Sequence, residues 1–374
     1  MKLRTIVAAP ILKGTHVLIR IDSDVDVTAG KIVGESAYRL DSALPTLKFL
    51  LGKKAVVTLM GHRGRPAGNV DKKLSLAPVQ KYLENKLKTK LNFLPNVRFD
   101  SREEKNDSSF ARELAQGQEI FINESFATAH RKHASTHAIT RILPSFAGLQ
   151  FEKEVHELSC VRDAAEAPIS LIIGGAKIET KVPVISKFLK QAEHIFIVGA
   201  AANAFLVAAG YDVGGSYVDA VSVRAARKLI KHDTVFLPVD MVIGTITGAK
   251  KFRTIAVADN KKLCGANEAN FDMGPATLIM ISEMLASSKT ILWNGPAGKF
   301  EQQPFHLGTE RIARMLARAG RGGACVVAGG GETVTSILHN KMSRGFTHIS
   351  TGGGAMLAFL GGAKLWAVDV LEQK

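Results

Sequence analysis

Two α/β domains, each a doubly wound parallel sheet of Rossmann-like form, are predicted for this chain by its length, its alternation and its punctuation. At 374 residues it exceeds the size at which a single hydrophobic core stops growing. Short apolar, β-rich runs alternate with glycine or polar turns and then with helix-like segments, as in a parallel sheet with helices on both faces. Polar and glycine-rich turns follow those runs in both halves. In such sheets ligands sit beyond the carboxyl ends of the strands, so two sites facing one another are expected.

Taken in order, the predicted strands of the first half are 17–22, 55–60 and 119–123. Residues 148–162 then space Leu149, Val155, Leu158 and Val161 at helical intervals, which predicts a helix joining the domains, near 148–163. The domain boundary is set at residue 150. The second half repeats the pattern with strands at 169–173, 194–198, 234–237, 290–293, 324–328 and 348–350. The tail 357–370 is apolar enough to be docked on the rest of the chain.

Composition excludes several classes. A hydrophobic content of 46% with 22% charged residues is that of a globular chain, not a disordered one. No run approaches the ~18 apolar residues of a membrane helix, so no membrane partner is expected. The first residues, Met1 to Leu12, hold a short apolar run interrupted by Pro10 and do not read as a cleaved signal. Cys160, Cys264 and Cys325 lack metal spacing and read as reduced, buried thiols of a cytoplasmic protein. The net charge of +15 lies mostly in the first 150 residues, which suits a polyanionic ligand. The lysine-rich segment 81–90 reads as a solvated helix face, and neither a nucleic-acid motif nor an aromatic stacking run is present, so no specific nucleic acid is expected.

In the second half, Gly174-Gly-Ala-Lys177-Ile-Glu-Thr-Lys181 follows an apolar run. Glycines allow close backbone approach to a phosphate, and a following helix offers unpaired N–H groups. Lys177 and Lys181, four apart, are expected on one helix face. The arrangement recurs at Gly329-Gly330-Gly331-Glu332-Thr333 and at Gly352-Gly353-Gly354, costly sequences in backbone entropy unless a ligand must come close. Glu332 supplies a carboxylate where a phosphate-bound Mg²⁺ needs one. Asn294 and Glu301 suit nucleotide hydroxyls. In the first half, Arg20, Asp22, Asp24, Arg39, His62, Arg63, Arg65, His130, Arg131, Lys132 and His133 collect near strand ends. Arginine forks match phosphate and carboxylate oxygens; the adjacent arginines disfavour a metal site at His62, His130 and His133.

These segments, in this order, resemble phosphoglycerate kinase along nearly the whole chain. The resemblance rests on Leu18-Ile-Arg-Ile-Asp22, Leu44-Pro-Thr46, His62-x-Gly-Arg65-Pro66, Thr128-Ala-His-Arg131, Gly174-Gly-Ala-Lys177 and Leu237-Pro-Val-Asp240. It continues through Asp272-x-Gly274-Pro275, Trp293-Asn-Gly-Pro296 with Glu301, Gly329-Gly-Gly-Glu-Thr333 and Ser350-Thr-Gly-Gly-Gly354. It implies two hinge-linked domains, 1–150 with the returning tail 355–374 for the phosphoglycerate and 151–354 for the nucleotide. It also implies a cytoplasmic glycolytic enzyme, monomeric, moving a phosphoryl group between Mg-ATP and 3-phosphoglycerate, with ADP and 1,3-bisphosphoglycerate as the other pair.

By the family pattern, Asp22, Asp24, Arg39, His62, Arg65 and Arg131 bind the phosphoglycerate. Gly174, Lys181, Asn294, Glu301, Gly330, Gly331, Glu332 and Thr333 hold the nucleotide, with Glu332 on its Mg²⁺. Arg39, Lys177, Lys181 and Gly353 surround the group in flight. Departures from the pattern are Asp24 in place of asparagine, Ser23 and Asp26, alanines in 198–201, and Glu332 in place of aspartate. Ala167 stands where an arginine is expected to join the basic cluster. Asp24 and Ala167 together predict weakened phosphoglycerate binding and motivate the alternative, a weakly active nucleotide-binding paralogue.

Overall fold

The computed structural model describes residues 1–247, 251–258 and 260–373. The chain divides into two compact units, Met1–Ser159 with Ala363–Lys374, and Cys160–Gly362.

The first unit contains β1 (His16–Arg20), a ribbon of β2 (Val27–Thr28) and β3 (Lys31–Ile32), then β4 (Val56–Met60), β5 (Asn92–Phe93), β6 (Ile120–Asn123) and β7 (Ser145–Ala147). Its main sheet runs β5-β4-β1-β6-β7, all parallel. Both faces are covered, and the two-residue period of a strand decides which side chain goes where. Val17, Ile19, Ile120 and Ile122 point into one core with Leu47, Leu50, Val79 and Leu83 of the helices Leu44–Gly52 and Ala77–Leu87. Leu18 and Phe121 point into the other, with Phe110, Ala111 and Leu114 of the helix Ser108–Ala115. The three strands read from sequence are the three central ones; β5 and β7 span two and three residues, too short to show a period.

The second unit contains β8 (Ile169–Ile173), β9 (His194–Ile197), β10 (Val235–Phe236), β11 (Asp240–Thr245), β12 (Phe252–Ala256), β13 (Glu268–Met273), β14 (Thr290–Asn294), β15 (Cys325–Gly329) and β16 (His348–Ser350). Its parallel sheet runs β10-β9-β8-β14-β15-β16 and uses all six predicted strands. A three-stranded antiparallel sheet, β12-β11-β13, was not predicted. Its edge strand β12 is largely exposed and carries no clear alternation. In β13, however, Ala269, Phe271 and Met273 alternate with Glu268, Asn270 and Asp272, a signal that marks a half-buried strand.

The unit boundaries differ from those drawn at residues 150 and 354, for packing reasons. The joining helix is Leu149–Asp163. Its start belongs to the first unit, where Gln150 and Phe151 donate their backbone N–H groups to Glu124 and the Phe151 ring meets Phe126 edge-on at 5.7 Å. The helix Gly354–Leu360 packs in the second unit, whereas the tail from Ala363 returns to the first. There Arg4 N–H donates to Leu371, Ala367 N–H to Ala129 and Gln373 N–H to Lys2.

The cysteines depart from expectation. Cys264 is buried, but Cys325 is half-buried and Cys160 is exposed, lying off the helical stripe of Phe151, Val155 and Leu158. Among the described residues no helix is long and apolar enough to cross a membrane.

Candidate active site

In each parallel sheet the chain winds outward one way from its first strand and then returns to continue on the other side. The order reverses between β1 and β6 in the first unit and between β8 and β14 in the second. Where neighbouring strands send their connections to opposite faces, a crevice opens at the carboxyl ends.

In the first crevice β1 delivers Arg20, Ile21 and Asp22, and β4 delivers His62. Arg20 is only 1% exposed; it donates through Nη2 to His62 Nδ1 at 2.9 Å and through Nε to Ser135 Oγ at 3.1 Å. Burial pushes its guanidinium down to about 10. Burial, followed by the charges of Arg20, Arg98 and Arg131, holds His62 well below the ordinary histidine range. An arginine can only donate, so Nδ1 of His62 accepts and Nε2 carries the proton. His62 is therefore a neutral donor, and its 3.7 Å approach to Asp24 is not a salt bridge.

Asp22, 5% exposed, pairs with Arg39 Nη1 at 3.2 Å. Burial raises its carboxyl, and Arg39 opposes the rise. Asp24 accepts from Gly64 N–H at 2.8 Å, so its added charge is partly met on the spot. Arg131 is half-buried and close enough to depress both His62 and Arg98. Arg65 is exposed and makes no hydrogen bond or ion pair among the described residues.

Two cations singled out in the sequence are committed elsewhere. Arg63 donates to the carbonyls of Val25 and Ser75, and Lys132 lies over the Trp366 ring, 4.7 Å from its centroid. Arg98, which sequence reading missed, is 3% exposed, donates to Gly64 O at 2.8 Å, and leaves Nη2 buried without a partner. It lies in the 3₁₀ turn Val97–Phe99, five residues past β5, a strand too short to mark it in the sequence. Among the described residues no three His, Cys, Asp or Glu side chains are placed to hold a metal ion.

The second crevice is made chiefly of backbone. Gly174 N–H donates to Asn294 O at 2.8 Å and Gly175 N–H to Pro296 O at 3.0 Å, locking the ends of β8 and β14 together. A Cβ on Gly174 would stand 2.2 Å from Pro296 O. Asn294 donates to Gly329 O at 2.7 Å, and Gly295 N–H donates to the buried Thr333 hydroxyl at 2.8 Å. Gly330, at φ +103°, turns β15 into the helix Gly331–His339, whose first turn carries Glu332. Gly353, at φ +50°, does the same between β16 and Gly354–Leu360.

Beneath the first turn Lys181 is 7% exposed, and its ammonium donates to Gly174 O. Burial lowers it to about 8, against the pull of Glu332 and Glu179. Glu332 is raised, by burial first and Glu301 second, with Lys181 opposing. A cleft of about 400 Å³ opens beside these groups, lined by Gly175, Gly199, Glu301 and Glu332. Its far wall comes from Ala269, Asn270 and Phe271 of the unpredicted antiparallel sheet.

One expectation is corrected here. Lys177 and Lys181 do not share a helix face: 178–180 is a 3₁₀ turn, and the α-helix starts only at Val182, with Pro183 in its first turn. At three residues per turn, positions four apart diverge, so Lys177 is exposed while Lys181 is buried. Ala167 lies at the end of its strand opposite the glycine turn. It precedes β8, and the five strand residues between it and Gly174 span about 17 Å.

The comparisons agree with this architecture. The model of the family Phosphoglycerate kinase matches residues 7–95 and 89–363. A phosphoglycerate kinase of Pelotomaculum thermopropionicum is 38% identical, over 97% of this chain and 98% of that protein. One from Xanthobacter flavus is 34% identical over 99% of both. Among solved structures, phosphoglycerate kinase from Coxiella burnetii matches at TM-score 0.84 with 31% identity, covering 99% of each chain. That from Pyrococcus horikoshii matches at TM-score 0.87 with 26% identity, over 99% of this chain and 98% of that one.

Proposed function

The chain belongs to the phosphoglycerate kinase family, and from that premise we infer which of its residues move a phosphoryl group between ATP and the carboxylate of 3-phosphoglycerate. A carboxylate oxygen of the acid attacks the γ-phosphorus in line, the bond to the β–γ bridging oxygen breaks, and ADP leaves an acyl phosphate. Glycolysis runs the step in reverse. Such transfer asks the protein mainly to position its reactants and to neutralise the charge on the equatorial oxygens.

The first unit is assigned the acid. Arg65, Arg98 and Arg131 take its phosphate and Asp22 and Asp24 its hydroxyl, while His62 Nε2–H donates to its carboxylate. Arg39, oriented by Asp22, neutralises the group being transferred. The second unit is assigned the nucleotide, with Glu301 on the ribose, the amides of Gly330, Gly331 and Thr333 on the phosphates, and Asn294 holding that turn. Lys181, Lys177 and the turn at Gly353 complete the charge around the γ-phosphate.

Mg²⁺ bound to the nucleotide would shield the phosphate charge and polarise the phosphorus. Hard oxygen donors suit it, and Glu332, at the mouth of the cleft with Glu301 close by, is the carboxylate assigned to it. We take the enzyme to act as a monomer, and its glycolytic substrates imply the cytoplasm.

One observation carries the nucleotide assignment. Lys181 is a buried cation whose hydrogen bond goes to a neutral carbonyl rather than a carboxylate. Such a group is costly to keep unless an anion arrives to pair with it. The test couples Mg-ATP and 3-phosphoglycerate turnover to the dehydrogenase that consumes the acyl phosphate. Turnover in the wild type, lost in Lys181→Ala, is expected. Wild-type turnover no higher than the variant's background rejects the enzyme reading.

A further inference from the structure

On the second unit, away from the nucleotide cleft, a cavity of about 680 Å³ is floored by one face of the antiparallel sheet. Val242 of β11 is paired with Thr254 of β12 and with Asp272 of β13, so the three side chains share that face. The walls are the helices Pro275–Leu285 and Leu307–Arg321, which contribute Leu278, Ile279 and Met315.

Three features at this cavity have no role in phosphoryl transfer. Large apolar side chains that a monomer ordinarily hides are exposed around it: Phe252 at 57%, Ile279 at 60% and Leu307 at 44%. The helix Leu307–Arg321 carries Arg311, Arg314 and Arg318 at spacings of three and four, all exposed, along the cavity and its neighbour. That neighbour, about 630 Å³, shares Ser282 and Met315 with the first and continues the groove toward Gly322.

The charges facing the groove are unbalanced. Arg314 is paired with Glu310 through Nε at 3.0 Å. Arg311 and Arg318 have no ion pair among the described residues. The carboxylate in the floor, Asp272, is 2% exposed and already accepts the N–H groups of Gly308 and Met273 at 2.8 and 2.9 Å.

We propose that this groove binds an amphipathic organic anion, a single-chain carboxylate whose hydrocarbon lies over Val242, Leu278 and Ile279 and whose head group meets Arg311. Volume and composition fit a small molecule: concave, walled on three sides, apolar within and charged at one rim. A flat protein-docking face lacks that enclosure. Asp272 in the groove and Phe271 in the nucleotide cleft are consecutive residues on opposite faces of β13, so the two cavities share a strand but not a lining.

The test is calorimetric titration of the full chain with decanoate, decyltrimethylammonium and octanoate, each below its micelle concentration, with and without saturating ATP. One-to-one saturable binding of decanoate is expected, unaffected by ATP, roughly tenfold weaker for octanoate because two methylenes are lost, and absent for the cationic chain. Ile279→Asp and Arg311→Glu replace exposed side chains and should melt like the wild type; each is expected to weaken decanoate at least tenfold and leave basal turnover unchanged. Equal affinity for the cationic chain, displacement by ATP, binding that does not saturate, or variants that bind as the wild type does would overturn the proposal.

Discussion

In the first unit positive charge is carried by side chains that other side chains must hold in place. In the second it is carried mostly by backbone N–H groups that the turns hold in place already, with Lys181 added beneath. Arg20 and Arg98 are buried and spend donors on His62, Ser135 and the nearby loops, while buried His62 spends its acceptor on Arg20. Gly174 and Gly295 brace the turns through their own N–H groups rather than through side chains, and with Gly330 they leave no room, since a Cβ on any of them meets another group within 3.0 Å. A site of guanidinium groups should therefore fail gradually as charges are removed. A site of close backbone contacts should fail through shape.

The largest effect expected is on the transferring cations. Lys181→Ala and Arg39→Ala should each lower kcat about 100-fold or more, by analogy with the loss of one oxyanion donor. They should differ in stability. Arg39→Ala leaves Asp22 buried without its partner, a loss of about 1–3 kcal/mol, whereas Lys181→Ala removes an unpaired buried charge and should leave the melting temperature unchanged or raised. Equal destabilisation of the two variants in thermal melts would break the contrast.

Next is Gly174→Ala. The new methyl would lie 2.2 Å from Pro296 O and 2.6 Å from Gly295 O, and displacing that backbone should cost about 1–3 kcal/mol and nucleotide affinity together. Arg65→Ala, at an exposed and unpaired position, should shift stability by less than about 0.5 kcal/mol and raise only the KM for 3-phosphoglycerate. Denaturant midpoints and KM values for both substrates separate these cases.

A smaller effect concerns pH. Burial lowers Lys181 to about 8 from an ordinary value of 10.5. As pH rises through about 8 the free enzyme loses this cation, so kcat/KM for Mg-ATP should fall there, and the inflection should be absent from the residual activity of Lys181→Ala. Stability has the opposite sign. Between about 8 and 10.5 the unfolded chain holds this proton and the folded one does not, so this lysine alone makes stability rise with pH in that window.

The smallest effect is at Asp24. Its exposed carboxylate is screened and already accepts Gly64 N–H, so Asp24→Asn should lower the KM for 3-phosphoglycerate only about threefold. Asp24 is the basis for expecting weak substrate binding that lies within the first unit. An Asp24→Asn variant no tighter than wild type would remove it.

Legibility followed physical range. The nine strands read from sequence all lie in the two parallel sheets because buried parallel strands are continuous apolar runs, visible without knowing their neighbours. The glycine turns were legible for a similar reason, since a run such as Gly329–Gly331 has a local backbone meaning. Arg98 was not, because only assembly of β1, β4 and β6 places it beside His62 and Arg131. The lysine pair was misjudged because Pro183 delays the helix start, converting the expected α-helical spacing into a 3₁₀ turn.

By itself the sequence determined the α/β class, the family, and the residue types available at each crevice, since these depend on period, local turns and motif order. Tertiary structure alone decided which cations are free and which are spent. It turned Arg63 toward two carbonyls, Lys132 over Trp366 and Lys181 beneath a glycine turn. Charge and burial act through space, and distance along the chain carries no record of either.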